Sequence, residues 1–427
     1  MTTSEVVTIL SDLIRFDTSN PGMPERPAAE YIAALFDEVG IESTILEGEP
    51  GRSNVIARIE GTDPRRPPLL IQGHLDVVPA QAGEWSVHPF SGEVRDGYVW
   101  GRGAVDMKDM DAMVITVLRR WAREDIRPPR DLVVAFLADE EMGSPAGSRW
   151  LAANHADLFA DCTEAIGEVG GFSVSLGDTA RLYLLQTAEK GIAWLKLRAT
   201  GRPGHGSMIH PDNAVTRLAG AVSRIGSHDF PIHVIPEVAL LLRELEPIVG
   251  HELDPAQAEE WLPELGGLAR MVGACLRNTA NPTRLDAGYQ SNVVPSEATA
   301  IIDARFLPGY EQDLMDDVVR LAGDSVQVEV MTHGISVHTE FEGALVDAMC
   351  AALRAEDASA IPVPYLLTGG TDAKVFSELG IRCFGFVPLQ LPPDLDFSAL
   401  FHGIDERVPV ESLEFGVRVL DRFLASC

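Results

Sequence analysis

A histidine and an aspartate follow a short apolar run early in the chain. Residues 69–71 predict a buried strand that ends near Gly73, and His74 and Asp76 come next. Residues two apart in an extended chain point to the same side, so the imidazole and the carboxylate should emerge together. Ligands bind at the carboxyl ends of strands in open α/β sheets. His74 is therefore a candidate metal ligand, and Asp76 a candidate partner for its other ring nitrogen. The alternative is a polar strand end on the surface.

Further carboxylates stand at the ends of predicted elements. Asp106 begins a helix whose apolar residues repeat every three or four positions, although an aspartate there is also a common helix cap. Glu141 follows a predicted strand at 132–137, and Glu168 follows another near 165–166. These elements succeed one another in a β-α-β-β order. A doubly wound sheet would bring their ends to one edge.

This combination of side chains is typical of a divalent metal site. The histidines His74 and His402, together with several carboxylates, suit zinc or a similar ion. The carboxylates are too many for one tetrahedral ion, whereas two ions about 3.5–4 Å apart, bridged by one carboxylate, would use them. The adjacent Glu140 and Glu141 would repel each other without a cation, although a solvated acidic loop would also explain them.

The pattern of apolar and polar residues in the predicted strands changes along the chain. Residues 1–190 combine helices with apolar strands, which predicts an α/β domain with a mostly parallel sheet and helices on both faces. From 191 the strands alternate apolar and polar residues, as in an antiparallel sheet. We therefore predict a catalytic domain in two parts, 1–190 and 309–427. An inserted α+β domain at 191–308, whose end could extend to about 332, interrupts it.

Composition narrows the class of protein. The 427 residues include 34 basic and 64 acidic side chains, which gives a formal net charge of −30 and argues against nucleic-acid binding. No apolar segment is long enough to cross a bilayer, so we expect no membrane partner. The five cysteines are scattered without a C-x-x-C pair, and no signal peptide is evident. We therefore expect a cytoplasmic protein.

Five short blocks carry most of the candidate residues. They are Gly73-His74-Leu75-Asp76-Val77-Val78-Pro79, Gly101-Arg102-Gly103 through Asp106-Met107-Lys108, Asp139-Glu140-Glu141-Met142-Gly143, Gly369-Gly370-Thr371-Asp372, and His402-Gly403-Ile404-Asp405-Glu406. In this order, over nearly the whole chain, they resemble the dinuclear zinc peptidases and amidohydrolases. That family includes aminoacylase, carboxypeptidase G, carboxypeptidase S, acetylornithine deacetylase and succinyl-diaminopimelate desuccinylase. Five blocks in order are a far more specific signal than any one of them.

The resemblance implies two divalent metal ions, zinc before cobalt or manganese. His74 and Glu168 would bind one ion, Glu141 and His402 would bind the other, and Asp106 would bridge both. In relatives the peptide after the bridging aspartate is often cis, and we expect the same between residues 106 and 107.

The resemblance also implies the catalytic groups. Glu140 would be the general base that activates the attacking water, and Asp76 would orient the first histidine. In the inserted domain, which resembles the family's lid or dimerisation domain, His205 would steady the oxyanion, either within one chain or across a homodimer interface.

The resemblance further implies which residues hold the substrate. Asn292 and Arg305 match positions that bind the substrate's carboxylate, a task suited to the bidentate guanidinium. The turn Gly369-Gly370-Thr371 would donate backbone N–H groups to the same carboxylate. His210 lies close to the candidate oxyanion residue, yet we expect it, like the remaining histidines, to be structural.

These observations predict a hydrolase that cleaves an amide bond next to a free carboxylate. The substrate would be a small molecule or short peptide: an N-acyl amino acid, a dipeptide or the C-terminus of a peptide. One alternative is a deacylase of a biosynthetic intermediate of the acetylornithine or succinyl-diaminopimelate type. Another is a catalytically silent metal-binding relative.

Overall fold

The computed structural model describes residues 4–177 and 180–427. The chain forms two compact units. The first comprises the chain up to Thr187 together with Thr339–Tyr365 and Thr371–Cys427, and the second comprises Ala188–His338 and Leu366–Gly370. The predicted division into functional domains, at 1–190, 191–308 and 309–427, stays a prediction.

The helices lie between the strands along most of the described chain. They are α1 Glu5–Arg15, α2 Arg26–Asp37, α3 Lys108–Glu124, α4 Ser148–Asn154, α5 Ala214–Gly226, α6 Pro236–Val249, α7 Ala258–Trp261, α8 Ala269–Cys275, α9 Glu311–Ala322, α10 Ala344–Glu356, α11 Ala373–Glu378 and α12 Val410–Leu424.

The strands range from two to ten residues in length. They are β1 Ser43–Glu49, β2 Arg52–Ile59, β3 Leu69–His74, β4 Glu93–Arg95, β5 Tyr98–Trp100, β6 Leu132–Leu137, β7 Glu164–Gly167, β8 Ser173–Leu176, β9 Ala180–Glu189, β10 Gly191–Thr200, β11 Gly204–His205, β12 Thr279–Ala287, β13 Val293–Val294, β14 Glu297–Phe306, β15 Val326–Gly334, β16 Val337–His338, β17 Ala360–Leu367, β18 Arg382–Gly385 and β19 Arg407–Pro409.

The first unit is built on a sheet with the strand order β1-β2-β6-β3-β7-β18-β9. β3 pairs in parallel with β6 and β7, and β18 pairs in parallel with β7, whereas β1 and β2 pair antiparallel. β3 and β6 are buried along their whole length, as expected of strands covered on both faces. The parallel strands therefore form the centre of the sheet, and the loops after their carboxyl ends lie along one edge.

Helix α3 packs against β3 and brings the next candidate ligand to the same edge. Its predicted apolar stripe, including Met110, Met113, Val114 and Val117, is buried. α1 and α12 pack against α3 in turn. The helix begins directly after the Asp106–Met107 peptide, so packing of the stripe fixes where Asp106 emerges.

The second unit is built on an antiparallel sheet with the order β12-β14-β10-β15. β10 alternates buried and more exposed residues along its length, as predicted. Its buried face, which includes Leu195 and Leu197, packs with Leu218 of α5 and Leu314 of α9. The predicted fold class, a parallel-rich α/β sheet with a separate antiparallel sheet, is confirmed.

Candidate metal centre

His74 is the last residue of β3, and its imidazole is held at both nitrogens. Nδ1 lies 2.9 Å from the backbone carbonyl oxygen of Asp76 and 3.5 Å from its Oδ1. A carbonyl oxygen only accepts, so Nδ1 donates and Nε2 is the nitrogen that can bind a metal. We predicted that the Asp76 carboxylate would orient this ring, but the nearer partner is the backbone oxygen of the same residue.

Asp106 lies between the two candidate histidines. Its Oδ1 is 3.2 Å from His74 Nε2, and its Oδ2 is 3.2 Å from His402 Nε2. His402 adopts a left-handed backbone conformation with φ 57° and places Nε2 3.3 Å from Glu141 Oε2. On the other side, His74 Nε2 is 3.5 Å from Glu168 Oε2. The predicted cis peptide between residues 106 and 107 is present.

The five predicted ligands therefore form two groups that share one carboxylate. The groups are His74, Asp106 and Glu168, and Asp106, Glu141 and His402; within each, one ligand atom per residue lies within 4.8 Å of the others. The ligand assignment from the sequence stays a prediction, but the fold brings every member of it together. The elements that do so are the ends of β3, β6 and β7, the start of α3 and the loop before β19.

Glu140 and Glu141 belong to a single 3₁₀ turn after β6. The Asp76 carboxylate holds this turn, because its Oδ1 accepts from the Glu140 backbone N–H at 3.0 Å and its Oδ2 accepts from that of Glu141 at 3.1 Å. Glu141 Oε1 is buried with no hydrogen-bond partner among the described residues. A buried carboxylate oxygen without a donor is costly unless a cation meets it.

Burial and neighbouring charges shift the acid–base properties of the site. Burial alone would raise the pKa of Asp106, but hydrogen bonds from His402 and His74 hold it below its usual range. Burial raises the pKa of Glu168 to about 8, against the opposing charge of His74. Burial also raises the pKa of Glu140 well above its usual value, and the Glu168 carboxylate adds to this. A divalent cation would relieve the repulsion among these carboxylates.

A buried ion pair ties the segment around Asp106 to that around His402. Arg102 Nη1 donates to Glu406 Oε2 at 2.6 Å, and Glu406 Oε1 accepts from the backbone N–H of Val105 at 2.8 Å. Arg102 Nη2 also donates to the His402 carbonyl oxygen at 3.3 Å. Both side chains are buried, and burial raises the pKa of Glu406 to about 7 against the charge of Arg102.

The predicted substrate-binding turn divides between the two units. Gly369 and Gly370 belong to the second unit and Thr371 to the first. Thr371 Oγ1 accepts from the backbone N–H of Ala373, where the six-residue α11 begins. Asp372 is held by the hydroxyls of two serines, Ser144 and Ser148, in the loop and helix that follow the 3₁₀ turn.

His205 and Asn292 lie together in the second unit. His205 is exposed and pairs with Val293 in the short ladder of β11 and β13. The Ser207 backbone N–H donates to His205 Nδ1 at 3.3 Å, so the neutral ring carries its proton on Nε2. Nε2 is therefore the ring nitrogen of the neutral His205 that can donate a hydrogen bond. His210 donates from Nε2 to the His205 carbonyl oxygen at 2.9 Å, a structural contact.

Arg305 lies on β14, also in the second unit, and its guanidinium is already engaged. Its Nε lies 2.6 Å from Asp303 Oδ1 and its Nη2 lies 3.1 Å from Asp303 Oδ2. The pair is partly exposed on both sides. A substrate carboxylate would therefore compete with Asp303 for this guanidinium or use its remaining N–H groups.

The chemistry of the ligand atoms fits two divalent ions. Imidazole nitrogens and carboxylate oxygens meet in two groups, one carboxylate is shared, and Glu141 Oε1 has no hydrogen-bond partner in the part of the chain that the structure describes. The sequence profile of the peptidase family M20/M25/M40 matches residues 70–426. The chain belongs to this family. It is a metal-dependent family of hydrolases, and the resemblance stated from the five blocks is confirmed.

Individual members of the family align with most of the chain. The N-fatty-acyl-amino acid synthase/hydrolase PM20D1 of Xenopus tropicalis is 29% identical over 413 residues, 92% of this chain and 79% of that protein. Aminoacylase-1 of Sus scrofa is 25% identical over 438 residues, 98% of this chain and 94% of that protein. The M20 metallo-carboxypeptidase Sso-CP2 of Sulfolobus solfataricus shares the fold, with a TM-score of 0.74, 17% identity and 99% coverage of each chain.

Sequence reasoning identified the ligand candidates but not the residues that support them. Arg102 and Glu406 lie within matched blocks, yet nothing in their spacing showed that they pair. Asn20, which contacts Asp76, lies outside every block, and only the fold reveals it. Among the described residues, no helix combines the length and apolar character needed to cross a membrane.

Proposed function

We propose that this chain is a two-metal hydrolase that cleaves an amide bond next to a free carboxylate, with N-acyl amino acids as its main substrates. The observation that carries the proposal is the position of Asp106, a single carboxylate between two groups of ligand atoms. Such an arrangement suits two cations that act on one substrate. Membership of the M20 family supports the hydrolase class.

Five side chains would hold the ions. His74 and Glu168 would hold one, Glu141 and His402 the other, and Asp106 both. When bound, two such ions polarise the scissile carbonyl and lower the pKa of the attacking water. Zinc is the proposed ion because it accepts imidazole and carboxylate together, although cobalt and manganese accept the same ligands.

Glu140 would be the general base. It stands beside a ligand but belongs to neither ligand group. Burial and the neighbouring Glu168 raise its pKa, which makes its carboxylate a stronger base. It would take a proton from the attacking water and pass it to the leaving nitrogen. Asp76 would place this base by accepting its backbone N–H.

The second unit would complete the site as a lid or dimerisation domain. We propose that it corresponds to the predicted inserted domain, 191–308 or slightly longer. His205, with its proton on Nε2, would donate to the oxyanion. Arg305 and Asn292 would bind the substrate carboxylate, with backbone N–H groups of the Gly369-Gly370-Thr371 turn. A homodimer and a cytoplasmic location are further parts of the proposal.

N-acyl amino acids are the first substrates to test, before dipeptides. The two aligned relatives are named as an N-fatty-acyl-amino acid synthase/hydrolase and an aminoacylase, and both names favour this class. The zinc-loaded protein would be assayed on N-acetyl and N-palmitoyl amino acids, on dipeptides, and on the methyl ester of each. We expect turnover of the N-acyl amino acids. The rate of amide hydrolysis should be lower by roughly tenfold or more for the esters, because they lack the charge-assisted hydrogen bonds of a carboxylate. No turnover of any compound, or equal turnover of acids and esters, would contradict the proposal.

A further inference from the structure

A short segment outside the five blocks runs beside the loop that follows β3. Ser19 forms a parallel bridge with Val77, and the Asn20 backbone N–H donates to the Val77 carbonyl oxygen at 2.9 Å. The hydroxyl of Thr18 donates to the Leu75 carbonyl oxygen at 2.7 Å. These bonds fix Asn20 beside the carboxylate of the residue between them, Asp76.

The Asn20 side chain is buried and uses both ends of its amide. Its Nδ2 lies 2.9 Å from Asp76 Oδ2 and 2.7 Å from Asp139 Oδ1, and its Oδ1 lies 2.8 Å from Arg52 Nη2. A guanidinium only donates and an ionised carboxylate only accepts, so the amide has one orientation that satisfies all three neighbours. Arg52 is held in turn by an ion pair with the fully buried Glu25.

Asn20 thereby joins the two carboxylates that shape the 3₁₀ turn carrying the candidate base. Asp76 accepts from the backbone N–H groups of Glu140 and Glu141, and its own backbone oxygen accepts from His74 Nδ1. Asp139 precedes the turn, and its Oδ2 accepts from the backbone N–H of Ala146 at 3.1 Å, just beyond the turn. Two buried anions this close repel each other unless a donor lies between them.

We propose that Asn20 is a positioning residue, which sets the distance between His74 and the Glu140–Glu141 turn by bridging Asp76 and Asp139, with Arg52 fixing the direction of its amide. The inference rests on the proposed function, because it concerns ligands and a base assigned there. It adds a residue that binds neither ion nor substrate. Support of this kind typically changes metal affinity by about 10- to 100-fold.

The test is a titration of the metal-free protein with Co²⁺ alone, in which the visible absorption spectrum of the bound Co²⁺ measures binding. Asn20→Leu keeps the approximate volume but removes both donors. We expect a Co²⁺ dissociation constant about 10- to 100-fold higher and an altered spectrum, because ligand geometry changes. At saturating metal, kcat should fall while KM stays within about twofold, since no substrate contact is removed. Arg52→Met, one contact further out, should shift Co²⁺ affinity in the same direction by less.

Tyr183→Phe is the matched control. It also removes a buried hydrogen bond to a carboxylate, the 3.0 Å bond to Asp357, and neither Tyr183 nor Asp357 is a candidate site residue. It should lower thermal stability but leave Co²⁺ affinity, spectrum and kcat as in the wild type. Wild-type Co²⁺ affinity and spectrum in every folded Asn20 and Arg52 variant would overturn the inference. Because Co²⁺ binding needs no substrate, a wild-type protein that binds Co²⁺ but hydrolyses nothing would count against the proposed function alone.

Discussion

Asp106 and Glu140 illustrate how position decides the role of a carboxylate. Asp106 contacts an imidazole nitrogen with each of its oxygens, so it is placed to bridge. Glu140 lies next to the ligand candidate Glu141 but in neither ligand group, which supports its proposed role as the base. A carboxylate that binds a cation and one that moves a proton need different surroundings, and in the proposal the 3₁₀ turn carries one of each, Glu141 as a ligand and Glu140 as the base.

Replacing the proposed base by a neutral side chain of the same shape tests this division of roles. Glu140→Gln should keep both metal ions, because the side chain is not a ligand, while kcat falls roughly 100- to 10,000-fold with loss of proton transfer. The measurement is metal content by mass spectrometry together with steady-state kinetics. Glu141→Gln is the matched comparison and should lose metal. If the Glu140 variant loses metal and the Glu141 variant keeps it, the two roles are exchanged.

Metal binding should strengthen as pH rises. Hydrogen bonds to Asp106 and Glu141 raise the pKa of His402 to about 10 in the metal-free protein, so near neutral pH its ring carries a proton. A protonated imidazole cannot bind a metal, and binding must release that proton. Affinity should therefore rise roughly tenfold per pH unit for each proton released, up to a pH near 10. Metal titrations at about pH 6, 7 and 8 would measure the slope, and a pH-independent dissociation constant would contradict it.

At this scale the sequence identified what is chemically distinctive and missed what is chemically ordinary. Histidines and carboxylates at strand ends stand out by type and spacing. Asn20 does not stand out, because its proposed importance comes from the pairing of two segments that are far apart in sequence. The role of the Asp76 carboxylate in orienting the His74 ring stays a prediction, and the backbone oxygen of Asp76 is an additional, nearer contact that no side-chain pattern reports.

Among the elements, the contact between the start of α3 and the loop before β19 brings the second histidine to the site. The Arg102–Glu406 pair makes that contact, since it links backbone groups on both segments. Both charges are buried, so neither can turn to water if its partner is removed. The pair therefore matters more for the position of His402 than a surface pair would.

Breaking this pair should be costly. Arg102→Met leaves Glu406 buried and unpaired, and the free energy of unfolding should fall by about 3–5 kcal/mol. Denaturant titration of the metal-free protein measures it. Arg418→Met is the control and should cost no more than about 1 kcal/mol, because Arg418 is exposed and its partner Glu356 keeps a second ion pair with Arg422. An equal decrease in the free energy of unfolding for the two variants would show that the buried pair stabilises the fold no more than the exposed one.

The central elements were predictable, and those governed by distant contacts were less so. β3, β6 and α3 have continuous apolar runs or stripes that fit only one period, and they lie where expected. The limits of β1 and β2 depend instead on their antiparallel pairing, which runs from Ser43 opposite Ala57 to Glu49 opposite Arg52.

At the scale of the whole molecule, the second unit is proposed to supply both an oxyanion donor and a guanidinium that binds the substrate. His205 is proposed to act only on charge that develops in the transition state, so His205→Ala should lower kcat by roughly 100-fold or more with little change in KM. Kinetics on an N-acyl amino acid and metal content measure this. An unchanged kcat would show that the histidine is structural.

Arg305 should respond in the opposite way. It is proposed to bind a carboxylate that is present in ground and transition states alike, so Arg305→Ala should chiefly raise KM. Asp303→Asn provides the comparison, because it weakens the acceptor that now engages the guanidinium and should not raise KM. A fall in kcat without a rise in KM for the arginine variant would refute the assignment.

In the proposed function, one carboxylate, that of Asp106, joins two metal ions in a single active site. The most direct measurement is the number of zinc or cobalt ions bound per chain, by equilibrium dialysis and mass spectrometry, for the wild type and for Asp106→Ala. We expect two ions per wild-type chain, hydrolysis only of the metal-loaded protein, and weakened binding of both ions in Asp106→Ala. One ion per wild-type chain, or two ions bound by Asp106→Ala with wild-type affinity, would contradict it.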